Sequence, residues 1–229
     1  MTIPESNDQL VKPARRSVLA WTTLLLVLVT GLWLDLASKS WSFAVVAGEP
    51  VQLEYDEIVT GAFTIPWHEG QRVLPSDLLD FHLVLNRGAV FGIGQGRRAV
   101  FVGFTLIAVG VAVVVFGWWT HARSHLAHVA IGLILAGGLG NLYDRVVIGA
   151  VRDFLHMMPR WELPLGLAWP GGTTEVFPWV FNVADVLLLL GMTLLLIHVH
   201  FADRQQESEN SSAEEKPDSS GSVDVSDPA

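Results

Sequence analysis

Four long apolar runs constrain this chain more than any other feature of its sequence. They cover residues 18–36, 99–120, 126–142 and 177–201. A bilayer core about 30 Å thick needs about 20 helical residues, and all but the glycine-rich run 126–142 approach or exceed that length. Glycines suit close helix packing in lipid. Since only 16% of the residues are charged, the runs predict a mainly α membrane protein with four transmembrane helices.

The first run is interpreted as an uncleaved span rather than as a signal peptide. A signal peptide has an apolar core of about 7–15 residues, shorter than this run, and Asp35 closes the run. Lys12, Arg15 and Arg16 precede it. Basic residues before a first span predict a cytoplasmic N-terminus, although the later loops do not follow the positive-inside rule.

The segments between the spans predict a small β-containing region on the outer face. About residues 40–97 and 146–176 would lie outside the membrane. Stretches 43–65 and 80–91 are rich in β-branched and aromatic residues, with turn-forming residues near them, and they are predicted to form short strands. The stretch 155–178 contains several prolines and glycines and is predicted to be irregular.

The acidity of the chain is concentrated at its C-terminal end. The formal net charge is −9, and residues 203–229 contain eight acidic residues against two basic ones. This polar segment is predicted to be a disordered cytoplasmic tail, after a membrane domain that spans residues 1–202. The negative charge argues against a nucleic-acid partner. Since the chain contains no cysteine, disulfides, thiolate metal sites and a cysteine nucleophile are excluded.

Polar residues near the spans are candidates for function because a charge costs several kcal/mol at membrane depth. The candidates are Asp35, Lys39, Asn141, Asp144, Arg145, Asp153, Asn182 and Asp185. Asp35 and Lys39 are four residues apart on one helical face and can neutralise each other. Asp144 has a neighbouring arginine. Asp153 has only Arg152 beside it, and Asp185, about two turns into the fourth run, has no cation nearby.

The two least neutralised carboxylates, Asp153 and Asp185, fall near the same membrane face. If they meet, like charges a few ångströms apart share one proton. One could then act as a general base for water while the other donates a proton to a carbonyl oxygen, which is the chemistry of peptide hydrolysis without a metal. The spacing does not show that they meet. Each could instead make a helix-packing hydrogen bond or a local ion pair, or both could serve a proton- or cation-coupled carrier.

Other motifs point to no further chemistry. Residues 92–96 read Gly-Ile-Gly-Gln-Gly but lack the lysine and hydroxyl residue of a phosphate-binding loop. His121, His125 and His128 have helical spacing, but no carboxylate accompanies them, so they are interpreted as solvated loop residues rather than as metal ligands. HExxH and GxSxG motifs are absent from the sequence. No metal site and no cofactor are predicted.

Five sequence blocks follow one another along the chain: Leu-Asp-Leu-Ala-Ser-Lys (34–39), Asn-Arg-Gly-Ala-Val-Phe (86–91), Gly-Gly-Leu-Gly-Asn-Leu-Tyr-Asp-Arg (137–145), Val-Arg-Asp-Phe (151–154) and Phe-Asn-Val-Ala-Asp (181–185). In sequence and in order they resemble signal peptidase II, the bacterial lipoprotein signal peptidase. The resemblance implies a four-span aspartyl protease of the bacterial inner membrane. Both termini would be cytoplasmic, and the active site would lie near the outer leaflet.

The resemblance also implies residue roles. Asp153 and Asp185 match the catalytic dyad. Four further positions match residues that line the family site and hold the substrate backbone or the dyad: Asn86, Asn141, Arg145 and Asn182. Three match supporting polar positions: Asp35, Lys39 and Asp144.

The implied substrate is a diacylglyceryl-modified prolipoprotein, cut just before its lipidated cysteine, and globomycin-type peptides would inhibit. The chain departs from the family pattern at Val90, where a second alanine is usual, and in its enlarged outer segments. Two other interpretations stay open: the carrier, and a non-catalytic remnant that binds lipoprotein precursors.

Overall fold

A computed structural model describes residues 12–88 and 98–214, with side chains through residue 204. Within these ranges, four helices are long and apolar enough to cross a membrane, as the four runs predicted. The described helices are α1 (Val18–Val45), α2 (Tyr55–Thr60), α3 (Arg98–Val114, continued by a π-helical turn, Val115–Trp119), α4 (His125–Tyr143, continued by a π-helical turn, Asp144–Ile148) and α5 (Val183–Glu214). Short α2 lies outside the spans, between α1 and the sheet.

Helix α4 is the centre of the bundle because small residues let its neighbours approach closely. About 56% of its apolar window is buried inside the protein, against 6% for α3. A Cβ atom on Gly137 would lie 2.3 Å from the backbone oxygen of Ala184 in α5, and one on Gly140 would lie 2.2 Å from Oδ2 of Asp35 in α1. Only glycine fits at these two positions, so the close packing predicted for the glycine-rich run is confirmed there.

The predicted extramembrane sheet is confirmed, but its strands differ from the prediction. The strands are β1 (Gln71–Leu74), β2 (Leu79–Asn86), β3 (Val151–Met157) and β4 (Val180–Phe181), paired antiparallel in the order β1-β2-β3-β4. Strand β2 fills part of the predicted stretch 80–91, whose last residues lie outside the described ranges. Strand β3 begins before the stretch 155–178 that was predicted to be irregular.

The strands predicted within 43–65 were wrong, for a reason that the packing explains. Helix α1 continues to Val45, and α2 occupies Tyr55–Thr60. The apolar residues of this stretch form the core between the end of α1 and the sheet, where Phe43 and Val46 pack with Leu83 of β2 and Phe154 of β3. Their apolar character therefore reflects burial under the sheet.

The fourth span begins at Val183, six residues later than the apolar run. Residues 177–182 are apolar because they form β4 and the wall of a cavity described below. At its other end, α5 continues to Glu214, so residues 203–214, which were predicted to be disordered, are helical. Residues 215–229 lie outside the described ranges, and the division into a membrane domain and a tail stays a prediction.

Candidate active site

Asp153 lies on β3 with its carboxylate buried between two asparagines. The residue is 2% exposed. Its Oδ1 accepts a hydrogen bond from Nδ2 of Asn182 at 2.6 Å, and its Oδ2 accepts one from Nδ2 of Asn86 at 3.1 Å. The β2–β3 register, which places Val84 opposite Asp153, brings Asn86 within reach. Both carboxylate oxygens are therefore held in fixed directions.

Asp185 lies in the first turn of α5, where it takes part in the N-terminal cap of the helix. Its backbone N–H donates to Oδ1 of Asn182 at 3.2 Å, while its Oδ2 accepts from the backbone N–H of Asn182 at 3.1 Å. This reciprocal pair has the geometry of a capping box. The expectation that Asp185 lies two turns inside the span was wrong, because Asn182 starts the helix. The positive end of the helix dipole favours a negative charge at this position.

Asn141 of α4 connects the two carboxylates to the interior of the bundle. Its Nδ2 donates to Oδ1 of Asp185 at 2.9 Å. Its Oδ1 accepts from Nζ of Lys39 at 2.9 Å and from Nδ2 of Asn182 at 3.2 Å. The lysine ammonium group can only donate, so it fixes the Asn141 amide with its NH₂ group toward Asp185.

Asp153 and Asp185 line the same cavity, which has a volume of about 830 Å³. Phe177, Trp179 and Phe181 form one apolar wall, and α5 contributes positions that include Leu189. Leu189 is 63% exposed and lies in a helix that can cross the membrane. The cavity therefore borders the lipid-facing flank of α5 and offers an apolar volume next to two carboxylates.

The pKa of Asp153 is raised to about 7, first by burial and then by the charge of Asp185. The hydrogen bonds from Asn182 and Asn86 act in the opposite direction and lower this pKa. Asp153 can therefore hold a proton near neutrality, in a cavity that the carboxyl group of Asp185 also lines.

A second set of charges supports the site from beneath. Lys39 Nζ lies 2.8 Å from Oδ2 of Asp35 and 3.5 Å from Oδ2 of Asp144, and all three side chains are fully buried. Asp144 in turn accepts from Nη2 of Arg152 at 2.8 Å and from the Arg152 backbone N–H at 3.0 Å. The predicted pairing of Asp35 with Lys39 is confirmed. The cations that pair with Asp144 are Arg152 and Lys39, and not the neighbouring Arg145.

Arg145 instead reaches the loop that follows β2. Its guanidinium donates to the backbone oxygens of Gly88, at 3.1 Å, and Asn141, at 3.3 Å. It also interacts electrostatically with Asp153 and Asp185. Asn86 shapes the same loop, since its Oδ1 accepts from the Gly88 backbone N–H at 3.0 Å.

Comparison with known proteins identifies the family. The family model described as signal peptidase (SPase) II matches residues 26–201, which include all five blocks of the resemblance. The chain belongs to the signal peptidase II family.

Curated members of the signal peptidase II family are similar over most of their length. The chain is 33% identical to a lipoprotein signal peptidase of Methylorubrum extorquens (strain PA1), over 78% of this chain and 85% of the relative. It is 32% identical to one from Desulfitobacterium hafniense (strain DSM 10664 / DCB-2), over 65% of this chain and 85% of the relative.

The fold also matches a solved structure whose description reads bacterial membrane enzyme structure by the in meso method at 2.3 Å resolution. The two share 26% identity with a TM-score of 0.55, and the match covers 86% of this chain and 94% of the other. The four apolar helices with a small antiparallel sheet therefore match the fold of a bacterial membrane enzyme.

In this signal peptidase II family member, the nine polar residues that the resemblance matched to the family site lie close together and are linked by hydrogen bonds and ion pairs. Two features of the site were not predicted from the sequence. Arg152 is a buried partner of Asp144, and Phe177, Trp179 and Phe181 form a wall of the cavity. The spacing of Asn182 and Asp185, three residues apart before an apolar run, is a capping signal that could have located the helix start.

The three histidines that were predicted to be solvated differ in burial. His128 is fully buried and packs edge-on against Phe116 with ring centroids 5.3 Å apart, so its interpretation as a solvated loop residue was wrong. His121 and His125 are exposed, as expected. Val90 and the glycine-rich stretch 92–96 lie outside the described residues.

Proposed function

We propose that this protein is an aspartyl endopeptidase that removes the signal peptide from diacylglyceryl-modified prolipoproteins, with Asp153 and Asp185 as its catalytic dyad. The observation that carries the proposal is the common cavity, in which two carboxylates are held by a shared asparagine network. The family, and the relatives named as lipoprotein signal peptidases, support the substrate class. Globomycin-type peptides are expected to inhibit by occupying the same cavity.

In the proposed mechanism, Asp185 is the base. Two donors, the backbone N–H of Asn182 and the amide of Asn141, stabilise its negative charge, as does the helix N-terminus. Asp185 accepts a proton from water as the water oxygen attacks the scissile carbonyl carbon. Protonated Asp153 donates a hydrogen bond, and then its proton, to the carbonyl oxygen.

Collapse of the tetrahedral intermediate completes the cleavage. The carbonyl re-forms as its hydroxyl proton returns to Asp153, the C–N bond breaks, and Asp185 transfers its proton to the leaving amine. Each aspartate ends in its starting protonation state, so the dyad is ready for another turnover. In this mechanism, the lipidated cysteine forms the new N-terminus of the product.

The cavity suggests how a lipidated peptide is held. The apolar wall that includes Phe177 and Trp179 and the flank of α5 that includes Leu189 match the chemistry of a signal-peptide helix and acyl chains. The backbone oxygen of Gly88, fixed by Arg145, can accept a hydrogen bond from an extended substrate backbone. Because the α5 flank faces lipid, the substrate is proposed to enter sideways from the bilayer.

The orientation is part of the proposal. The sheet and the dyad lie at the end of α1 opposite Arg15 and Arg16, so basic residues before α1 favour a cytoplasmic N-terminus and an active site near the outer leaflet. Because the sequence contains no cysteine, a cysteine substituted for exposed Glu69 can be labelled alone. This cysteine is expected to react with a membrane-impermeant maleimide on intact cells. If it reacted only after the cells were lysed, the proposed orientation would be wrong.

The decisive experiment measures cleavage of a purified diacylglyceryl prolipoprotein by the full chain in lipid. Asp153→Asn and Asp185→Asn are each expected to lower kcat by about 10²–10⁴-fold, the usual contribution of a general acid or base. Asp56→Asn, an exposed carboxylate on α2, is the matched control and should leave kcat unchanged. Near-normal turnover by either dyad variant would reject the dyad.

The same preparation separates the remaining interpretations. A carrier would move protons or cations across sealed vesicles without hydrolysing the peptide. A non-catalytic precursor-binding protein would bind the prolipoprotein and leave it uncut in the wild-type chain. Either result would overturn the proposed function.

A further inference from the structure

The outer hairpin, residues 158–179, connects β3 to β4 and presents apolar side chains to the surroundings. Leu165 is 97% exposed, Leu167 is 57% exposed and Trp161 is 45% exposed. Single exposed apolar residues are common on soluble proteins and need no explanation. Several large ones on one extramembrane loop form a patch that points to an apolar partner.

The hairpin has a fixed structure, so the patch has a definite position. The backbone N–H of Leu163 donates to the oxygen of Thr174 at 2.7 Å, and that of Val176 donates to the oxygen of Trp161 at 2.7 Å. At the base, Arg160 Nη2 lies 2.9 Å from Oδ2 of Asp80 on β2. These contacts tie the hairpin to the sheet and hold its tip in place.

The patch is continuous with the lipid-facing surface of the bundle. Trp169 of the hairpin packs edge-on against Trp179 with ring centroids 4.9 Å apart, and Phe177 packs against Trp179 at 5.4 Å. Trp179 lines the cavity together with Leu189 of α5, whose side chain is largely exposed on a helix that can cross the membrane. Apolar surface thus extends from α5 across the cavity rim to the hairpin.

The composition of the tip identifies the chemistry of its partner. Residues 163–174 contain no charged side chain. A surface that binds anionic headgroups uses lysine and arginine, whereas leucine and tryptophan partition into the boundary between headgroups and acyl chains. Leu165 also adopts a left-handed backbone conformation, with φ of 62°, which is uncommon for a bulky residue and directs its side chain away from the protein.

We infer that the outer hairpin is a membrane anchor whose tip, centred on Leu165 and Leu167, inserts into the headgroup region of the outer leaflet beside the mouth of the cavity. It binds the bilayer through apolar partitioning and does not require anionic lipid. The anchor would hold the aromatic rim, through Trp169 and Trp179, at the level where a lipidated substrate meets the membrane. It is inferred from surface chemistry and does not depend on the catalytic dyad.

Site-directed spin labelling tests the anchor without reference to activity. The full chain, with a nitroxide on Leu165→Cys or on Leu167→Cys, is reconstituted into pure phosphatidylcholine vesicles at a low protein-to-lipid ratio. Glu69→Cys, on the exposed loop before β1, is the matched control. The tip labels are expected to lie about 5–10 Å below the headgroup surface, with more frequent collisions with oxygen than with a water-soluble nickel complex, and the control label is expected to show the reverse.

Each alternative gives a different result. Nickel accessibility at Leu165→Cys equal to that at Glu69→Cys would place the tip in water and overturn the anchor. If the tip labels become accessible to nickel as the protein is diluted in lipid, the patch contacts a second copy of the chain, which would overturn the anchor. If the tip labels are buried only when the vesicles contain phosphatidylglycerol, the tip binds anionic headgroups, which would overturn apolar partitioning.

A second variant tests the role of Leu165 without placing a label at that residue. Leu165→Asp is compatible with the left-handed backbone at this position, since aspartate tolerates that conformation, and the charge opposes insertion. In the Leu165→Asp background, the label at residue 167 is expected to move toward water. An unchanged depth there would show that Leu165 does not insert, which would also overturn the anchor.

Discussion

At the scale of single residues, the two carboxylates differ because their surroundings differ. Asp153 is enclosed on a strand between amide groups, and burial raises its pKa to about 7. Asp185 is held at a helix N-terminus by a backbone N–H and the amide of Asn141. Burial favours the protonated form of Asp153, and the carboxyl group of Asp185 accepts two N–H hydrogen bonds. The proposed division between acid and base rests on this difference in local structure.

This division predicts the pH dependence of cleavage. Asp153 must carry its proton to act as the acid, and its pKa is raised to about 7. We therefore expect kcat/KM to fall above about pH 7, approaching a tenfold loss per pH unit, as this proton is lost. The pH profile of the purified enzyme in lipid checks this, and a flat profile from pH 6 to pH 9 would contradict the shared-proton mechanism.

Asn182 is predicted to position both aspartates, since it donates to Asp153 and caps the turn that carries Asp185. Asn182→Ala is expected to lower kcat by about 10–100-fold, as loss of a supporting hydrogen bond commonly does. It should also move the high-pH limb of the profile upward, because the Asn182 hydrogen bond lowers the pKa of Asp153.

Ser17→Ala is the matched control for Asn182→Ala. Ser17 caps α1 by accepting from the backbone N–H of Ala20 at 3.3 Å, far from the cavity. Its loss should cost about 1 kcal/mol of stability without changing kcat or the pH profile. If Asn182→Ala behaved like this control, Asn182 would be only a helix cap.

At the scale of elements, the spans are joined by buried charges and by glycine contacts. Lys39 of α1 is enclosed by Asp35 and by Asp144 at the end of α4. A buried ion pair contributes little net stability compared with apolar packing, but removing one partner leaves an uncompensated charge. The network therefore makes the α1–α4 contact sensitive to single substitutions.

Lys39→Met is expected to destabilise the protein by about 3–5 kcal/mol, since Asp35 and Asp144 lose their shared cation. Arg72→Met is the control, because Arg72 pairs with Asp77 on the surface with its side chain 62% exposed. Such a pair is worth about 0–1 kcal/mol. Thermal unfolding in detergent measures both, and equal losses would contradict the role of the buried network.

Gly138 and Gly140, three residues and one residue before Asn141 on the same helix, provide a matched pair. A Cβ on Gly140 would lie 2.2 Å from Oδ2 of Asp35, whereas one on Gly138 would meet nothing closer than 3.8 Å.

Gly140→Ala must move α1 or α4, so we expect a loss of about 1–3 kcal/mol or more and reduced activity. Gly138→Ala should be neutral or stabilising by up to about 1 kcal/mol through helix propensity. Thermal unfolding in detergent compares the two, and equal stability would show that α1 and α4 do not require the close contact.

At the scale of the whole molecule, hydropathy predicted the spans well because lipid penalises every unpaired polar group. The same penalty made Asp153 and Asp185 recognisable, since few charges stand near the runs. The predicted start of the fourth span was six residues too early, because the apolar residues before Asn182 line a cavity and pair in a sheet. Hydropathy reports apolar surroundings and does not distinguish a span from a cavity wall.

The meeting of the two aspartates could not be predicted from spacing. It depends on the antiparallel pairing of β3 with β4, which sets Leu155 opposite Phe181, and on the close approach of α4 and α5 at Gly137. Long-range pairing of this kind leaves no local pattern in the sequence. The spacing left open whether the two carboxylates meet, and only the resemblance to the family paired them as the proposed dyad.

The buried charges also bear on how the chain enters the membrane during synthesis. Asp35 and Lys39 lie on one helix, and Asp144 and Arg152 lie close together in the following half of the chain, so each pair is neutral before the two halves meet. Helix α1 can thus leave the translocation machinery with its charges already compensated. Docking of α4 then joins two neutral pairs into one network. Because of this order, no charge of α1 stays unpaired in the membrane until a later helix packs against it.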